Sequence, residues 1–396
     1  MNVRNASDRP PIYLDGFSTL PLAPEARAAM LAAWEAPGNA GSPNRSGEHA
    51  AGAIAAGRAA VAELIGASPG EIIFTSGATE ANNLAILGVT ASIAGLHPHR
   101  RRVVVSTIEH KAVLEPAGEL KKLGFTVDFA PVGRDGRLDL SAFAELMGED
   151  VLLTSIMLVN NETGVVQPVQ EAAELAHARG ALFHCDGAQG AGKIEIDVLD
   201  LDVDYLSLSA HKCYGPMGVG ALYVSAGAPK PTPMMFGGGQ QAGFRPGTEP
   251  VALIAGFGAA ASVARARLRA DQRHGHELVS RLLGGLRDRQ VRLSPVNGLA
   301  ATVPGGVAVA LPGINGDTLC SMVARQVSLS TGSACTSGQI KTSHVLEAIG
   351  FSDNEARTVI RVFCNRYTTA VEIDTAIDAI TDAIERSRLA TGEVHQ

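Results

Sequence analysis

Leu206-Ser-Leu-Ser209-Ala-His211-Lys212-Cys-Tyr-Gly215-Pro-Met-Gly218-Val-Gly220 decides the fold. An apolar run reads as a buried strand, a lysine follows its end, and the glycine-rich turn beyond allows close backbone approach. A lysine held near an electrophilic ring and partly desolvated can lose its proton and form a Schiff base. An isolated lysine is usually solvated, but this one follows a buried strand.

Two stretches upstream have the same design of strand followed by polar group. Phe183-His-Cys-Asp186-Gly-Ala-Gln189 delivers an aspartate to a carboxyl strand end, where open α/β sheets place their ligands. That carboxylate either pairs with a cationic ring nitrogen or caps the next helix. Glu71-Ile-Ile-Phe-Thr-Ser-Gly-Ala-Thr79-Glu-Ala-Asn-Asn runs from a strand through small residues into a helix. Its exposed N–H groups lie at the positive end of a helix dipole, which makes either a phosphate seat or a Ser/Thr-capped turn.

Between these motifs short β-rich runs alternate with alanine-rich helical stretches, an α/β pattern. The expected strands are Glu71–Thr75, Arg102–Ser106, Thr126–Ala130, Leu152–Met157, Ala181–Cys185, Tyr205–Leu208 and Gly220–Val224. Several are apolar throughout, as parallel strands covered on both faces should be. Gly52–Ile65, Ala81–Ala91, Ala112–Lys122 and Val169–Ala178 read as crossover helices. A long helical stretch runs from Val251 to about Arg289, followed by strands near Gly306–Leu311 and Val359–Phe363 and a closing amphipathic helix at Asp374–Arg388.

The 396 residues exceed the roughly 250–300 that one core organises, so two domains are expected. Hydrophobic residues at 46% and charged residues at 18% mark a globular chain, and a net charge of −7 offers no general attraction to nucleic acid or anionic lipid. Five dispersed cysteines without a C-x-x-C pair suggest neither a disulfide framework nor a sequence-local zinc site, and no metal is expected. Met1–Pro11 lacks an apolar signal core, and the apolar run Val251–Ala264 is too short to span a bilayer, so a cytoplasmic protein is expected.

Cys335 stands apart from the other cysteines. In Val327-Ser-Leu-Ser-Thr-Gly-Ser-Ala-Cys335-Thr-Ser-Gly338, small residues and glycines suit a loop that carries a thiol to a substrate. The other reading, a buried inert cysteine, finds little apolar packing among such neighbours. Cys185, Cys213, Cys320 and Cys364 lie in or beside expected strands and helices and read as packing residues.

Phosphate seat, strand-end aspartate and strand-end lysine are the three anchors that pyridoxal phosphate requires for its phosphate, pyridine nitrogen and aldehyde. Further motifs follow in order, from Tyr13-Leu-Asp15 through Thr107-Ile-Glu-His110-Lys111 and Val159-Asn-Asn161-Glu-Thr-Gly164 to Thr358-Val-Ile-Arg361-Val-Phe. With these and the Cys335 segment, the chain resembles the cysteine desulfurases of the class V aminotransferase family and their selenocysteine lyase relatives.

The resemblance implies a fold-type-I pyridoxal phosphate-dependent transferase of α/β class. A large domain, 19–260, would hold the cofactor on a mostly parallel mixed sheet. A smaller α+β domain, 1–18 and 261–396, would carry the catalytic-cysteine loop. Ala78 and Thr79 would then hold the phosphate with Ser209 and His211, Asp186 the pyridinium nitrogen and Gln189 the ring oxygen, while His110 stacks on the ring and Lys212 carries the aldehyde. Asn161 would lie near cofactor and substrate, Asn39 would face the substrate, and Arg361 would grip its carboxylate with a planar guanidinium. Thr248, in Phe236-Gly-Gly-Gly-Gln-Gln-Ala-Gly-Phe-Arg245-Pro-Gly-Thr248-Glu, would reach the phosphate of a second subunit, implying a homodimer with shared sites. Without the family, this stretch is a flexible glycine-rich loop.

The implied reaction takes L-cysteine to L-alanine and leaves sulfur on Cys335 as a persulfide for an acceptor protein, such as an iron–sulfur scaffold or thiolation enzyme. Selenocysteine lyase and a catalytically silent scaffold are the alternatives. Three segments depart from the family pattern. Gly16-Phe-Ser-Thr-Leu20 replaces the usual Tyr-Ala-Ala-Thr-Thr type of segment, the usual histidine after Asn-Pro-Ser-Ser is replaced near Asn44, and Arg245-Pro-Gly-Thr248 is similar to the lyases.

Overall fold

β-branched and aliphatic runs, bounded by polar turns, supply the strands at the centre of the protein. The computed structural model describes residues 10–297, 302–332 and 342–391. After a short β1 (Ile12–Tyr13), seven strands form the main sheet: β2 (Ile72–Thr75), β3 (Arg102–Ser106), β4 (Thr126–Ala130), β5 (Val151–Ser155), β6 (Leu182–Asp186), β7 (Tyr205–Ser209) and β8 (Gly220–Val224). Their spatial order is β2-β8-β7-β6-β5-β3-β4. β8 runs antiparallel to both neighbours and the other pairings are parallel, so the mostly parallel mixed sheet expected from the sequence is present.

Successive residues serve opposite faces of this sheet, as the period of two dictates. Val104, Leu206 and Leu208 pack into one apolar cluster, while Val103, Val105 and Tyr205 pack into another. Both faces are covered, so these strands read as continuous apolar runs. Fully burying one such side chain stabilises by about 1.5–3 kcal/mol, and their number fixes the register.

A second sheet follows: β9 (Ser294–Pro295), β10 (Gly306–Ala310) and β12 (Val359–Phe363), antiparallel in the order β12-β10-β9. β1 pairs in parallel with β11 (Val327–Ser328), so the start of the chain joins this region. Leu14 accordingly packs into the cluster around Val307, Val309, Ile360 and Val362, whereas Phe17 and Leu20 belong to the main core.

The helix Val251–Asp288 links the two cores. Phe257, Ala260 and Ala264 pack on the main core, and Leu278, Leu282 and Leu286 on the second. It is longer than its apolar opening at Val251–Ala264, and by length and composition alone it could cross a bilayer. Its close fit to other helices accounts for that composition: a Cβ on Gly258 would lie 2.5 Å from the Gly57 Cα.

Four strand ranges stand where the sequence places them: β3, β4, β8 and β12. The helix expected from Gly52 begins earlier, at Arg45, because the Asn44 side chain accepts from the Gly47 N–H and caps it.

Candidate active site

The carboxyl ends of β6 and β7, the start of the helix after β2 and the turn at Phe17–Ser18 converge on a cavity of about 500 Å³. Its volume falls within the roughly 300–1,000 Å³ of small-molecule sites. Ala78, Thr79, His110, Asn161, Asp186, Gln189, Ser209, His211, Lys212 and Arg361 all line it. Ten of the site residues expected from the sequence therefore meet in one place.

At one end, helical structure begins at Ala78 directly after β2. Its first-turn N–H groups have no acceptor within the helix and face an anion-attracting dipole. Glu80 stays out of the way: it accepts from the Ser76 N–H at 2.8 Å and pairs with Arg245 at 2.9 Å. The loop is held in place by β8, since a Cβ on Gly220 would come within 2.6 Å of the Gly77 Cα. Ser209 and His211 line the same cavity. Burial, then the charges of Lys212 and Lys193, push His211 down to about 4, so its imidazole is neutral at pH 7.

Asp186 ends β6 and is only 6% exposed. One carboxylate oxygen accepts from the Asn82 amide at 2.8 Å and the other from the Ala188 N–H at 3.0 Å. His110 caps the helix Lys111–Leu120, its Nδ1 accepting from the Ala112 N–H at 3.1 Å. That contact leaves Nε2 as the ring's proton-bearing nitrogen. Burial lowers the affinity of His110 for a second proton, with Asp186 opposing and Lys212 assisting.

Lys212 directs Nζ at the carbonyls of Phe17 and Ser18, the latter at 2.8 Å. Arg361 projects from β12 and is 2% exposed. One terminal nitrogen donates to the Asn161 carbonyl at 2.8 Å; the other reaches Ser18 Oγ, Ser330 Oγ and Asp15 at 2.8, 2.9 and 3.1 Å. Its buried Nε has no acceptor among the described residues. The Oδ1 of Asn82, a residue of the cavity lining, is likewise buried without a partner among the described residues.

These groups suit pyridoxal phosphate. A helix start with Ser209 and His211 offers donors to a phosphate, a buried carboxylate can hold a protonated ring nitrogen, and Lys212 supplies an amine for the aldehyde. The unpaired Arg361 Nε and Asn82 Oδ1 leave hydrogen-bonding capacity for bound molecules.

Two expected residues lie elsewhere. Thr248 and Asn39 are exposed, and Asn39 borders a separate depression of about 590 Å³ with Arg58, Gln241 and Glu249. The glycine-rich stretch holding Thr248 is anchored at Gln241, whose side-chain oxygen accepts from the Phe74 N–H at 2.8 Å and from Arg58 at 2.9 Å. Cys335 falls in residues 333–341, outside the described residues.

The other four cysteines are poor nucleophiles. Burial pushes Cys213 up to about 11 and Cys320 and Cys364 up to about 12, and raises Cys185 well above the ordinary range. Their thiols stay protonated at neutral pH.

Sequence reading missed Asn82, Phe17 and Ser18. Asn82 lies on the same helical face as Ala78 and Thr79, so its spacing could have revealed it. Phe17 and Ser18 hold Lys212 through main-chain carbonyls, for which no side chain offers a signal.

Known proteins match this chain throughout. A cysteine desulfurase IscS of Anaeromyxobacter sp. (strain Fw109-5) is 43% identical over 385 residues, covering 96% of this chain and 93% of that protein. Cysteine desulfurase IscS of Vibrio cholerae serotype O1 (strain M66-2) is 41% identical over 387 residues, covering 96% and 94%. A solved NifS-like protein superposes with a TM-score of 0.88 at 33% identity, covering 95% of this chain and 100% of that one. The aminotransferase class-V pattern spans residues 12–375, and the chain belongs to that family.

Proposed function

We propose that this protein is a pyridoxal phosphate-dependent cysteine desulfurase, which releases L-alanine from L-cysteine and retains the sulfur as a persulfide on Cys335. The observation that carries the reading is the meeting of Lys212, Asp186, Arg361 and the helix start at Ala78–Thr79 in one cavity. The cysteine desulfurases named above are similar over nearly the whole chain.

When bound, the cofactor supplies an electron sink that acidifies the substrate Cα–H and weakens the Cβ–S bond. Ala78, Thr79, Ser209 and His211 would hold its phosphate. Asp186, oriented by Asn82, would keep the ring nitrogen protonated by pairing with its positive charge. His110 would cover the ring and Gln189 would address the ring oxygen. Lys212 would hold the cofactor's aldehyde, and as a free amine its Nζ would move the substrate Cα proton. Arg361 binds the substrate carboxylate as a charge-assisted pair, with Asn161 beside it. The Cys335 thiolate attacks the substrate sulfur: an S–S bond forms, the Cβ–S bond breaks, and its electron pair stays with the carbon that becomes the alanine methyl group.

Thr248 serves the phosphate of a neighbouring subunit in a homodimer with shared sites, and Asn39 faces the substrate; both are exposed on the single chain. The division into a large unit, 19–260, and a smaller unit, 1–18 with 261–396, belongs to the same proposal. The persulfide passes to an acceptor protein of iron–sulfur assembly or thiolation in the reducing cytoplasm, with no direct contact to nucleic acid or membrane. The test is alanine release from L-cysteine by wild type and Cys335→Ala, each with bound cofactor confirmed by absorbance. Release by wild type and its collapse in the variant support the reading; a cofactor-loaded wild type that releases no alanine overturns it.

A further inference from the structure

One buried lysine beside the cavity has no part in the scheme above. Lys193 follows Asp186 and Gln189 in the chain and is 4% exposed. Its Nζ donates to Gln189 Oε1 at 2.6 Å. It also faces the rings of Phe363 and Phe17, 4.9 and 5.9 Å from their centroids. Gln189 extends the chain of contacts, because its Nε2 donates to the Phe17 carbonyl at 2.8 Å. That same carbonyl accepts from Lys212 Nζ. A continuous hydrogen-bonded path therefore joins the two lysines through Gln189 and Phe17.

The path sets orientation. A side-chain amide has an acceptor end and a donor end, and turning it over exchanges them. With the Lys193 amine donating at one end, the Gln189 oxygen must face it and the NH2 must face Phe17. Phe17 is thus gripped twice, at its carbonyl through Gln189 and at its ring by Lys193 itself.

An apolar side chain would fill this space between two aromatic rings at lower cost than an amine. Burial, the charges of Lys212 and Arg361, and an opposing contribution from Cys213 together place the Lys193 ammonium well below its ordinary range. Around Lys212, the titratable and charged neighbours are Lys193, His110 and His211, with Asp186 and Arg361 lining the same cavity.

We propose that Lys193 is a positioning residue for the cofactor end of the site. It locks Gln189 and the Phe17 carbonyl in the arrangement that receives Lys212, and so sets how tightly the Lys212 nitrogen holds its proton. The inference rests on the reading of Lys212 as the residue that carries the cofactor. Without Lys193, the amide is free to turn over, the Phe17 carbonyl loses the Gln189 donor and accepts more strongly from Lys212, so the Lys212 nitrogen keeps its proton to higher pH.

The experiment is a pH titration of the absorbance of bound pyridoxal phosphate in wild type, Lys193→Met and Gln189→Met, with thermal melts of the cofactor-free proteins alongside. Methionine approximates the length and volume of either side chain, and Gln189→Met cuts the path while leaving the buried amine in place. The expected result is a midpoint moved upward by about one pH unit in both variants, a tenfold change in proton affinity. Melts that change while both midpoints stay at the wild-type value show a packing role alone and overturn the inference. A wild type that binds no cofactor counts instead against the proposed function.

Discussion

The main sheet supplies the cavity from strand ends, whereas the small antiparallel sheet supplies it from the middle of a strand. Asp186 terminates β6, and Ser209, His211 and Lys212 lie at or just beyond the end of β7. Arg361 is the central residue of β12, flanked by Ile360 and Val362, which are buried in the apolar cluster on the other face. Parallel strands point their carboxyl ends the same way, so one edge collects many polar groups at little cost to the core. An antiparallel strand must bury its single functional group within the sheet. Arg361 consequently needs Asp15, Ser18, Ser330 and the Asn161 carbonyl as partners.

Substitutions can break or sharpen this contrast. Lys212→Ala at the strand end is expected to lower alanine release by about 10³-fold or more, measured at matched protein concentration, since a residue acting in several steps is removed. Asp186→Asn leaves the shape intact but removes the charge facing the ring, with an expected loss of about 10²–10³-fold in kcat. Arg361→Lys should behave differently: KM for L-cysteine rises by about 10- to 100-fold, matching the roughly 1.5–3 kcal/mol of hydrogen bonds to a charged group, while kcat falls less. A kcat collapse equal to that of Asp186→Asn would erase the distinction between strand-end chemistry and mid-strand binding.

Two titrations give smaller effects. Glu109 is fully buried, and burial pushes its carboxyl up to about 8 despite hydrogen bonds from Ser106 and the Met157 N–H. The native state therefore keeps a proton that the unfolded chain loses from about pH 4.3 upward. Stability attached to this group is complete at low pH and declines as pH rises toward 8, so Glu109→Gln should flatten the decline in melting temperature between pH 5 and 8. His177, which is not among the residues lining the cavity, is raised to about 9 mainly by Asp204, with Asp202 assisting. Its contribution is complete below about pH 6.5 and is lost as pH rises through 9, and for a partly exposed pair it is worth under about 1 kcal/mol. His177→Gln should shift melts slightly at pH 7 and leave alanine release unchanged.

The same contrast explains what the sequence makes legible. An apolar run that stops at an aspartate or lysine is visible in one dimension, which is why Asp186 and Lys212 stand out. Arg361 shows as a charge interrupting an apolar strand, and the family motif is needed to give it a task. Phe17 and Ser18 act through carbonyl oxygens, and Lys193 through Gln189, so their roles depend on contacts that only the folded chain supplies. Asn39 and Thr248 are readable as motif residues, yet on one chain they lie outside the cavity.

The central claim is that sulfur leaves L-cysteine and lodges on Cys335. The most direct measurement is mass spectrometry of the Cys335 peptide after a single turnover of the cofactor-loaded protein with L-cysteine, with alanine quantified in the same sample. The account predicts one added sulfur atom on that peptide for each alanine released, and neither product in substantial yield from Cys335→Ala that retains the cofactor. Undiminished alanine release from Cys335→Ala, with no added sulfur on the wild-type peptide, would contradict it.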